Sequence, residues 1–165
     1  MHSLPNSLIY LSVFSCLKAH SIPWNDLTMS FSGKVIAITG AASGIGRATA
    51  RVLASQGASV SFADTNPLVK KTALSLPGDH IYSKVDVRDQ HAVKSWISNT
   101  ITRLGKLDGA VNMAGILTKA TPLVGTRDED WDTSFAVNTK GVFNCLRAEI
   151  KAMKPGGSIV CDFSH

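Results

Sequence analysis

The sequence predicts an α/β protein built on a doubly wound parallel sheet, and three observations carry this prediction. Segments of buried-strand character alternate with segments of helical apolar spacing from about residue 34 to about residue 162. A glycine-rich turn joins the first of these strands directly to the first helix. Residues able to bind a ligand then recur where strands end, namely Ser43, Asp64, Asp86, Gly115 and Ser164. We expect one domain over residues 31–165, preceded by an extension over residues 1–30.

The first strand and the turn after it give the strongest local signal. The strand Val35–Thr39 has buried-strand character, and the turn continues through Gly40, Ala41, Ala42, Ser43, Gly44, Ile45 and Gly46. Glycines adopt backbone angles that are closed to other residues, and they have no Cβ to keep a ligand away. The N–H groups that open the following helix, residues 44–56, then face any anion bound there. The alternative is an ordinary glycine turn, so the context of the loop decides its meaning.

The second strand supplies that context. Residues 59–63 form a predicted strand that ends in Asp64, eighteen residues after Gly46. In nucleotide-binding βαβ units, an acid near this distance binds the hydroxyls of the adenosine ribose. The charge of Asp64 would repel a 2′-phosphate, so the sequence favours NAD over NADP as the cofactor. The alternative is a solvated Asp that begins the turn formed by residues 64–67.

The alternation of strand and helix continues after this unit. A short helix is predicted over residues 68–76, and a strand follows over residues 81–85. The next predicted helix, residues 89–104, ends at Gly105. It carries a row of apolar side chains on one face, namely Val93, Trp96, Ile97, Ile101 and Leu104.

Three further elements complete the predicted sheet. A strand over residues 107–114 is followed by a long helix over residues 128–154 and a last strand over residues 158–162. Right-handed crossovers then give the strand order 3-2-1-4-5, with the ligand at the carboxyl ends of the strands, near the switch between strands one and four. The last strand is expected at the edge of the sheet, where its backbone groups lack a partner.

Four motifs in this order resemble those of the short-chain dehydrogenase/reductase family. Residues 39–46 match the family's TGxxxGIG loop in full, and the Asp that follows its third strand corresponds to Asp86, with Val87 beside it. The family's Asn-Asn-Ala-Gly stretch appears as Asn112, Met113, Ala114 and Gly115, with Met113 as a departure. The resemblance implies cofactor binding by these residues and by Thr39. For Asp86 and Asn112, strand bracing and ordinary loop capping are the alternatives.

The catalytic positions of the family fall on Asn138 and Ser164. Asn138 lies in the long predicted helix, and Ser164 follows residues 156–160, which match the family's Gly-Gly-Ser-Ile-Val strand. The resemblance covers about residues 32–165 and implies a Rossmann-like fold and NAD(P)-dependent interconversion of alcohols and ketones, in a homo-oligomer when the member is complete. The motifs are similar to those of fungal enzymes of secondary metabolism. The alternatives are a satisfied polar residue for Asn138 and a solvated one for Ser164.

The family's general acid/base is not among the residues of this chain. Its Tyr-x-x-x-Lys pair lies further along than the catalytic Ser, whereas the sequence stops at His165. An unperturbed phenol titrates at about pH 10, so catalysis at neutral pH needs the lysine beside it. Tyr10 and Tyr82 do not occupy that position, and we therefore expect a catalytically incomplete chain. The alternative function is a non-catalytic nucleotide-binding protein or a heterodimerising pseudo-enzyme.

Charge and composition argue against several classes of function. The formal net charge is +5, but the basic residues are scattered, and no basic stripe with interleaved aromatics indicates nucleic-acid binding. The five histidines lack the paired spacing of a zinc site, so no metal is expected. The three cysteines, Cys16, Cys145 and Cys161, are typical of the reduced thiols of a cytoplasmic protein.

The segment before the domain has a composition of its own. The apolar run over residues 8–17 has the length of a signal-peptide core, but no Lys or Arg precedes Lys18. The run is too short to cross a bilayer as a helix, and no membrane partner is expected. We expect a disordered extension, or a start assigned upstream of Met29, and residues 1–28 are then dispensable for folding. A working export signal is the alternative.

Overall fold

Six parallel strands form one sheet in the computed structural model, which describes residues 9–11, 30–118 and 122–162. In chain order the strands are β1 (Ile9–Leu11), β2 (Val35–Thr39), β3 (Ser59–Asp64), β4 (Ile81–Lys84), β5 (Gly109–Asn112) and β6 (Ser158–Cys161). Their order across the sheet is β1-β6-β5-β2-β3-β4, and every neighbouring pair is parallel. The order of β2 to β6 is the predicted 3-2-1-4-5, which confirms the doubly wound class.

The helices fall close to their predicted positions. They are α1 (Gly44–Ser55), α2 (Leu68–Leu74), α3 (Gln90–Leu104), α4 (Asp128–Phe135) and α5 (Val142–Ala152). A 3₁₀ turn, Leu123–Gly125, precedes α4, and the long helix predicted over residues 128–154 is interrupted by a π-helical segment, Ala136–Gly141, that joins α4 to α5. No helix among the described residues combines the length and the apolar character needed to span a bilayer.

The helices cover both faces of the sheet, and β2 shows how. All five residues of β2 are buried, although successive side chains of a strand point to opposite faces. Ile36 and Ile38 belong to the core cluster that contains Ala50, Leu53, Val69 and Ala73 of α1 and α2. Ala37 belongs to the opposite cluster, with Val93, Trp96, Ile97, Val142 and Cys145 of α3 and α5. Burial on both faces explains why the first four residues of the strand are apolar, without alternation.

The edge strand β1 comes from the segment that precedes the domain. Its residues Ile9, Tyr10 and Leu11 align in parallel with Ile159, Val160 and Cys161 of β6. The expectation that the last strand forms the edge of the sheet is therefore wrong, because β1 occupies the outer side of β6. Three residues of the segment expected to be a disordered extension belong to the sheet.

Candidate functional site

A cleft of about 420 Å³ lies at the carboxyl ends of β2, β3, β4 and β5. It opens where the strand order reverses, because the loops after β2 and β5 leave the sheet in different directions. The structure brings all but one of the predicted cofactor residues to its wall, namely Thr39, Gly40, Ser43, Gly44, Ile45, Gly46, Asp64, Asp86, Val87, Ala114 and Gly115. Asn112 is the exception.

The glycine loop forms the floor of the cleft, and at two of its positions a side chain would collide with neighbouring backbone. Gly40 has φ +66°, and a Cβ there would lie 2.5 Å from the carbonyl oxygen of Met113. A Cβ on Gly46 would collide with the carbonyl group of Gly40. The loop therefore packs backbone on backbone, against both the start of α1 and the loop after β5.

The start of α1 presents unsatisfied donors to this cleft. The first bond of the helix runs from the Arg47 N–H to the Ser43 carbonyl at 3.0 Å, and the Ser43 side chain makes no capping bond. The N–H groups of residues 44–46 precede that bond and have no carbonyl partner within the helix. Together with the helix dipole, such groups bind anions, above all phosphates.

Thr39 fixes the loop after β5 against the glycine loop. The side chain is 1% exposed, and its Oγ1 accepts hydrogen bonds from the N–H groups of Met113 and Ala114, both at 3.1 Å. Two strands that are neighbours in the sheet are thus joined again beyond their last residues. The width of the cleft at this point depends on one buried hydroxyl.

Asp64 takes part in the turn after β3 and also lies in the wall of the cleft. Its Oδ1 accepts a 2.8 Å hydrogen bond from the Asn66 N–H, which is the bond that begins a turn. Its Oδ2 accepts a 2.9 Å bond from the Ala42 N–H in the glycine loop, and the half-buried side chain lines the cleft. The carboxylate therefore ties the end of β3 to the glycine loop and still faces the cleft.

Asp86 faces the cleft as one half of an ion pair. The Arg88 guanidinium contacts its carboxylate at 2.6 Å (Nη2–Oδ2) and 2.9 Å (Nε–Oδ2). The hydrogen bond from the Arg88 side chain is the main cause that lowers the pKa of Asp86 below its ordinary value. Asn144 of α5 holds the same loop from behind, because its buried Nδ2 donates to the Val87 carbonyl at 2.9 Å. The ion pair thus lies within the loop after β4, and the Asn144 amide fixes that loop to α5.

Asn112 does not reach the cleft. It is 2% exposed at the end of β5, and its Nδ2 donates a 2.8 Å hydrogen bond to Oε2 of Glu149, a fully buried residue of α5. Its backbone carbonyl accepts from the Asp162 N–H at 3.1 Å, just beyond β6. The side chain therefore joins the end of β5 to α5, and its role in cofactor binding stays a prediction.

Asn138 lies in the π-helical segment and holds the loop after β5. Its Oδ1 accepts from the Ile116 N–H, and its Nδ2 donates to the Ile116 carbonyl, both at 2.9 Å. Because Ile116 lines the cleft, the amide helps to shape its wall at the loop after β5. Ser164, the other predicted catalytic residue, lies outside the described residues.

Several residues at or behind the cleft were not predicted from the sequence. Arg88 and Asp162 line it, and Asn144 and Glu149 support it from α5. A signal for Glu149 was present, because it is a polar residue within the apolar spacing of a helix. The row Val142, Cys145, Leu146 and Glu149 follows the spacing i, i+3, i+4, i+7. This spacing puts the Glu149 carboxyl group on the buried face of the helix.

Comparison with known proteins identifies the family. A family model described as enoyl-(acyl carrier protein) reductase matches residues 40–164. The short-chain dehydrogenase/reductase aba4 of Botryotinia fuckeliana is 43% identical over 138 residues, which cover 79% of this chain and 54% of the relative. The 2,3-dihydro-2,3-dihydroxybenzoate dehydrogenase of Bacillus subtilis is 40% identical over 134 residues, which cover 78% and 51%. The chain spans about half the length of the curated relatives it matches.

Solved structures agree with this match. A dehydrogenase/reductase from Sinorhizobium meliloti 1021 superposes with a TM-score of 0.77 at 33% identity, over 81% of this chain and 55% of that one. Carveol dehydrogenase from Mycobacterium avium, in complex with NAD, gives a TM-score of 0.74 at 33% identity, over 79% and 54%. The family match over most of the chain, the strand order and the glycine loop at its switch point have one explanation: this chain belongs to the short-chain dehydrogenase/reductase family.

Proposed function

We propose that this chain carries the NAD-binding part, and one wall of the substrate site, of an oxidoreductase that interconverts a small alcohol and its ketone. The observation that supports the proposal most directly is the cleft at the switch point of the sheet. Its floor is bare backbone, its helix start offers free N–H donors, and an acid stands at the end of the next strand. Such a cleft fits a dinucleotide.

The pyrophosphate of the cofactor would lie on the loop of residues 40–46. The absence of side chains at Gly40 and Gly46 allows the phosphates to approach the backbone, and the N–H groups that open α1 stabilise their charge. Asp64 would accept hydrogen bonds from the adenosine ribose. Val87 and the Asp86–Arg88 ion pair would border the adenine.

The choice of NAD over NADP rests on Asp64. The carboxylate already accepts two backbone hydrogen bonds, which hold it in the cleft. A 2′-phosphate would bring a second negative charge against it, with no described cation on the Asp64 carboxylate to offset the repulsion. The ribose hydroxyls of NAD offer donors instead.

The substrate side of the proposal depends on Asn138 and Ser164. A bound nicotinamide would supply or accept the hydride. Ser164 would donate a hydrogen bond to the reacting oxygen, and Asn138 would keep the loop of Ile116 in place beside it. Neither group provides the proton at neutral pH, so the family's Tyr-x-x-x-Lys pair is needed to complete the reaction.

The first test is binding. We expect the chain to bind NAD in calorimetry, and we expect Ile45→Glu to weaken this binding more than about tenfold, because it places a negative charge beside the phosphate loop. Ile45 is exposed at the start of α1, so the variant should fold. Ile150→Glu, an exposed position of α5 outside the cleft, is the matched control. An equal loss in both variants would contradict the placement of the phosphates.

The second test is turnover. With secondary alcohols, ketones and an enoyl thioester, we expect residues 1–165 alone to bind NAD without changing the NADH absorbance. The same residues continued through a relative's Tyr-x-x-x-Lys segment should become active, and Ser164→Ala should abolish that activity. Turnover by residues 1–165 alone would contradict the assignment of the acid/base. Binding that never leads to turnover, even in the longer chain, would favour a non-catalytic nucleotide-binding protein.

A further inference from the structure

Glu149 is a buried carboxyl group that the proposed chemistry does not use. It is 0% exposed on α5, and its Oε2 accepts the 2.8 Å hydrogen bond from Asn112 Nδ2. The second carboxyl oxygen of Glu149, Oε1, and the amide oxygen of Asn112, Oδ1, have no hydrogen-bond partner among the described residues. Two buried acceptors are thus left over on two side chains that already share a bond, and neither has a donor.

The surroundings of Glu149 cannot neutralise a negative charge. Among the described residues no ion pair reaches it, and the titratable groups that face it are the thiols of Cys145 on α5 and Cys161 on β6. Burial raises the pKa of both thiols, so they stay uncharged at neutral pH. From β5 comes the Asn112 amide, and α3 contributes the uncharged side chains Val93, Trp96 and Ile97 to the core cluster that contains both cysteines.

A proton on Glu149 removes the buried charge and also supplies a donor for the buried acceptors. A carboxylate only accepts hydrogen bonds, whereas a carboxylic acid also donates one, and it can form a two-bond pair with an amide. A buried carboxylate without a cationic partner is also unfavourable, and such groups take up a proton instead. In agreement, burial raises the pKa of Glu149 to about 7.

The pair lies directly under the cleft. Asn112 is the last residue of β5, and the next two residues donate their N–H groups to Thr39 Oγ1. The Asn112 carbonyl accepts the N–H of Asp162, which lines the cleft beyond β6. A displacement of Asn112 therefore moves the loop that packs on Gly40 and the end of β6 together.

We propose that Glu149 is a protonated positioning residue, whose carboxyl O–H donates to Asn112 Oδ1, and that this neutral pair holds the ends of β5 and β6 in the shape that binds the dinucleotide. The part of this proposal that concerns dinucleotide binding rests on the proposed function. When Glu149 loses the proton, its buried carboxylate is charged and Asn112 Oδ1 has no donor. The ends of β5 and β6 are then no longer held in place at the wall of the cleft.

The proton itself can be observed by carbon NMR. The sequence contains only two glutamates, Glu129 and Glu149, so protein labelled with ¹³C at the glutamate carboxyl gives two resonances. Glu129 is exposed on α4, and Glu149→Gln identifies which of the two resonances belongs to Glu149. We expect the Glu149 resonance to move from its protonated to its ionised position with a midpoint at about pH 7. A transition that coincides with that of Glu129 would overturn the proposal.

The effect on the cleft is measured as NAD affinity against pH. We expect the unmodified chain to bind NAD about fivefold more weakly at about pH 8.5 than at about pH 5.5, at the lower end of typical coupling between two sites. Glu149→Gln keeps a neutral donor and acceptor, so its affinity should stay at the acid value at both pH values. Glu129→Gln is the matched control and should behave like the unmodified chain.

The outcomes separate the two proposals. An affinity of the unmodified chain that does not change with pH, or a Glu149→Gln chain that loses affinity as the unmodified chain does, overturns the positioning role. If the unmodified chain binds no NAD at either pH, the proposed function fails, and the carboxyl resonance still supports or overturns the protonated pair.

Discussion

At the scale of single residues, the cleft is built from side chains that hold backbone and face the ligand at the same time. Thr39 joins the loops after β2 and β5, and Asp64 joins the end of β3 to the glycine loop. Each bond to a backbone N–H also fixes the rotamer of the side chain that makes it. The groups that would meet the cofactor are therefore held in place before it binds, which lowers the entropy that binding costs.

Asp64→Asn tests the cofactor choice at this scale. The amide keeps one oxygen for the backbone bonds but removes the charge, so we expect weaker NAD binding and a preference for NAD over NADP that narrows by about tenfold, or about 1.4 kcal/mol. Calorimetric titration with both dinucleotides measures the two affinities. Asp79→Asn, on an exposed loop, is the matched control and should leave both unchanged. Tighter binding of NADP than NAD by the unmodified chain would disprove the prediction.

At the scale of elements, the π-helical segment sets how closely the long helix approaches the sheet. It carries Asn138 and ends at Gly141, which packs on Val87 in the wall of the cleft. A π turn adds a residue to one turn of a helix and often occurs at functional sites. Here it places the Asn138 amide against the loop after β5 and the backbone of Gly141 against the loop after β4.

Gly141→Ala tests this close approach. A Cβ at Gly141 would lie 2.5 Å from Cγ2 of Val87, so we expect a loss of about 1–3 kcal/mol in the free energy of unfolding through overpacking. Urea unfolding followed by circular dichroism measures it. Gly125→Ala is the matched control, because a Cβ there meets no atom within 4 Å. Equal stability of the two variants would show that the helix can move away without cost.

The strand β1 is the second element with a testable contribution. The sequence alone predicts that residues 1–28 are dispensable for folding, but Ile9–Leu11 pair with β6. For a chain that begins at Met29 we now expect the same far-ultraviolet spectrum, a stability lower by about 1–2 kcal/mol for the lost hydrogen bonds, and more self-association through the open edge of β6. Melting curves and sedimentation measure these effects. A chain that lacks only residues 1–6 should show neither effect. If the chain that begins at Met29 also shows neither effect, β1 contributes nothing to stability or to the protection of β6.

At the scale of the whole molecule, two groups of carboxyls give stability opposite dependences on pH. The pKa of Asp86 is lowered, mainly by the hydrogen bond from Arg88, and that of Asp108 is lowered in spite of its burial, by Lys106 and the Val35 N–H. Their contributions are present above about pH 4 and are lost as the pH falls. The pKa of Glu149 is raised by burial to about 7, so the folded state holds a proton that the unfolded state releases at lower pH.

We therefore predict that stability decreases as the pH rises from about 4.5 to about 7, and that it levels off above that range. The contribution of Glu149 is complete below its unfolded pKa, and the full decrease amounts to about 3 kcal/mol. Urea unfolding at several pH values measures the curve. Glu149→Gln should remove the decrease, and Glu129→Gln should retain it. A curve that rises through neutral pH in the unmodified chain would contradict the prediction.

Much of the site could be read from local sequence. The loop of residues 39–46, the acid Asp64 and the order of the strands were predicted, because each depends on short-range rules: glycine conformation, strand length and the handedness of crossovers. The same rules gave no warning of the π turn, because the apolar spacing of α4 and α5 continues on both sides of it. Nor did they predict β1, since three residues carry too little periodicity to indicate a strand.

The sequence by itself determined the fold class, the family and the place of the glycine loop, because these follow from the alternation of strands and helices and from short motifs in a fixed order. Only the tertiary structure decided what lies behind the cleft. Asn112 meets Glu149 across 37 positions of chain, and Asn144 meets Val87 across 57. Such contacts depend on which helix packs on which strand end and at what depth. A polar residue in an apolar helical row reveals that a partner is needed, but the packing of the sheet selects that partner.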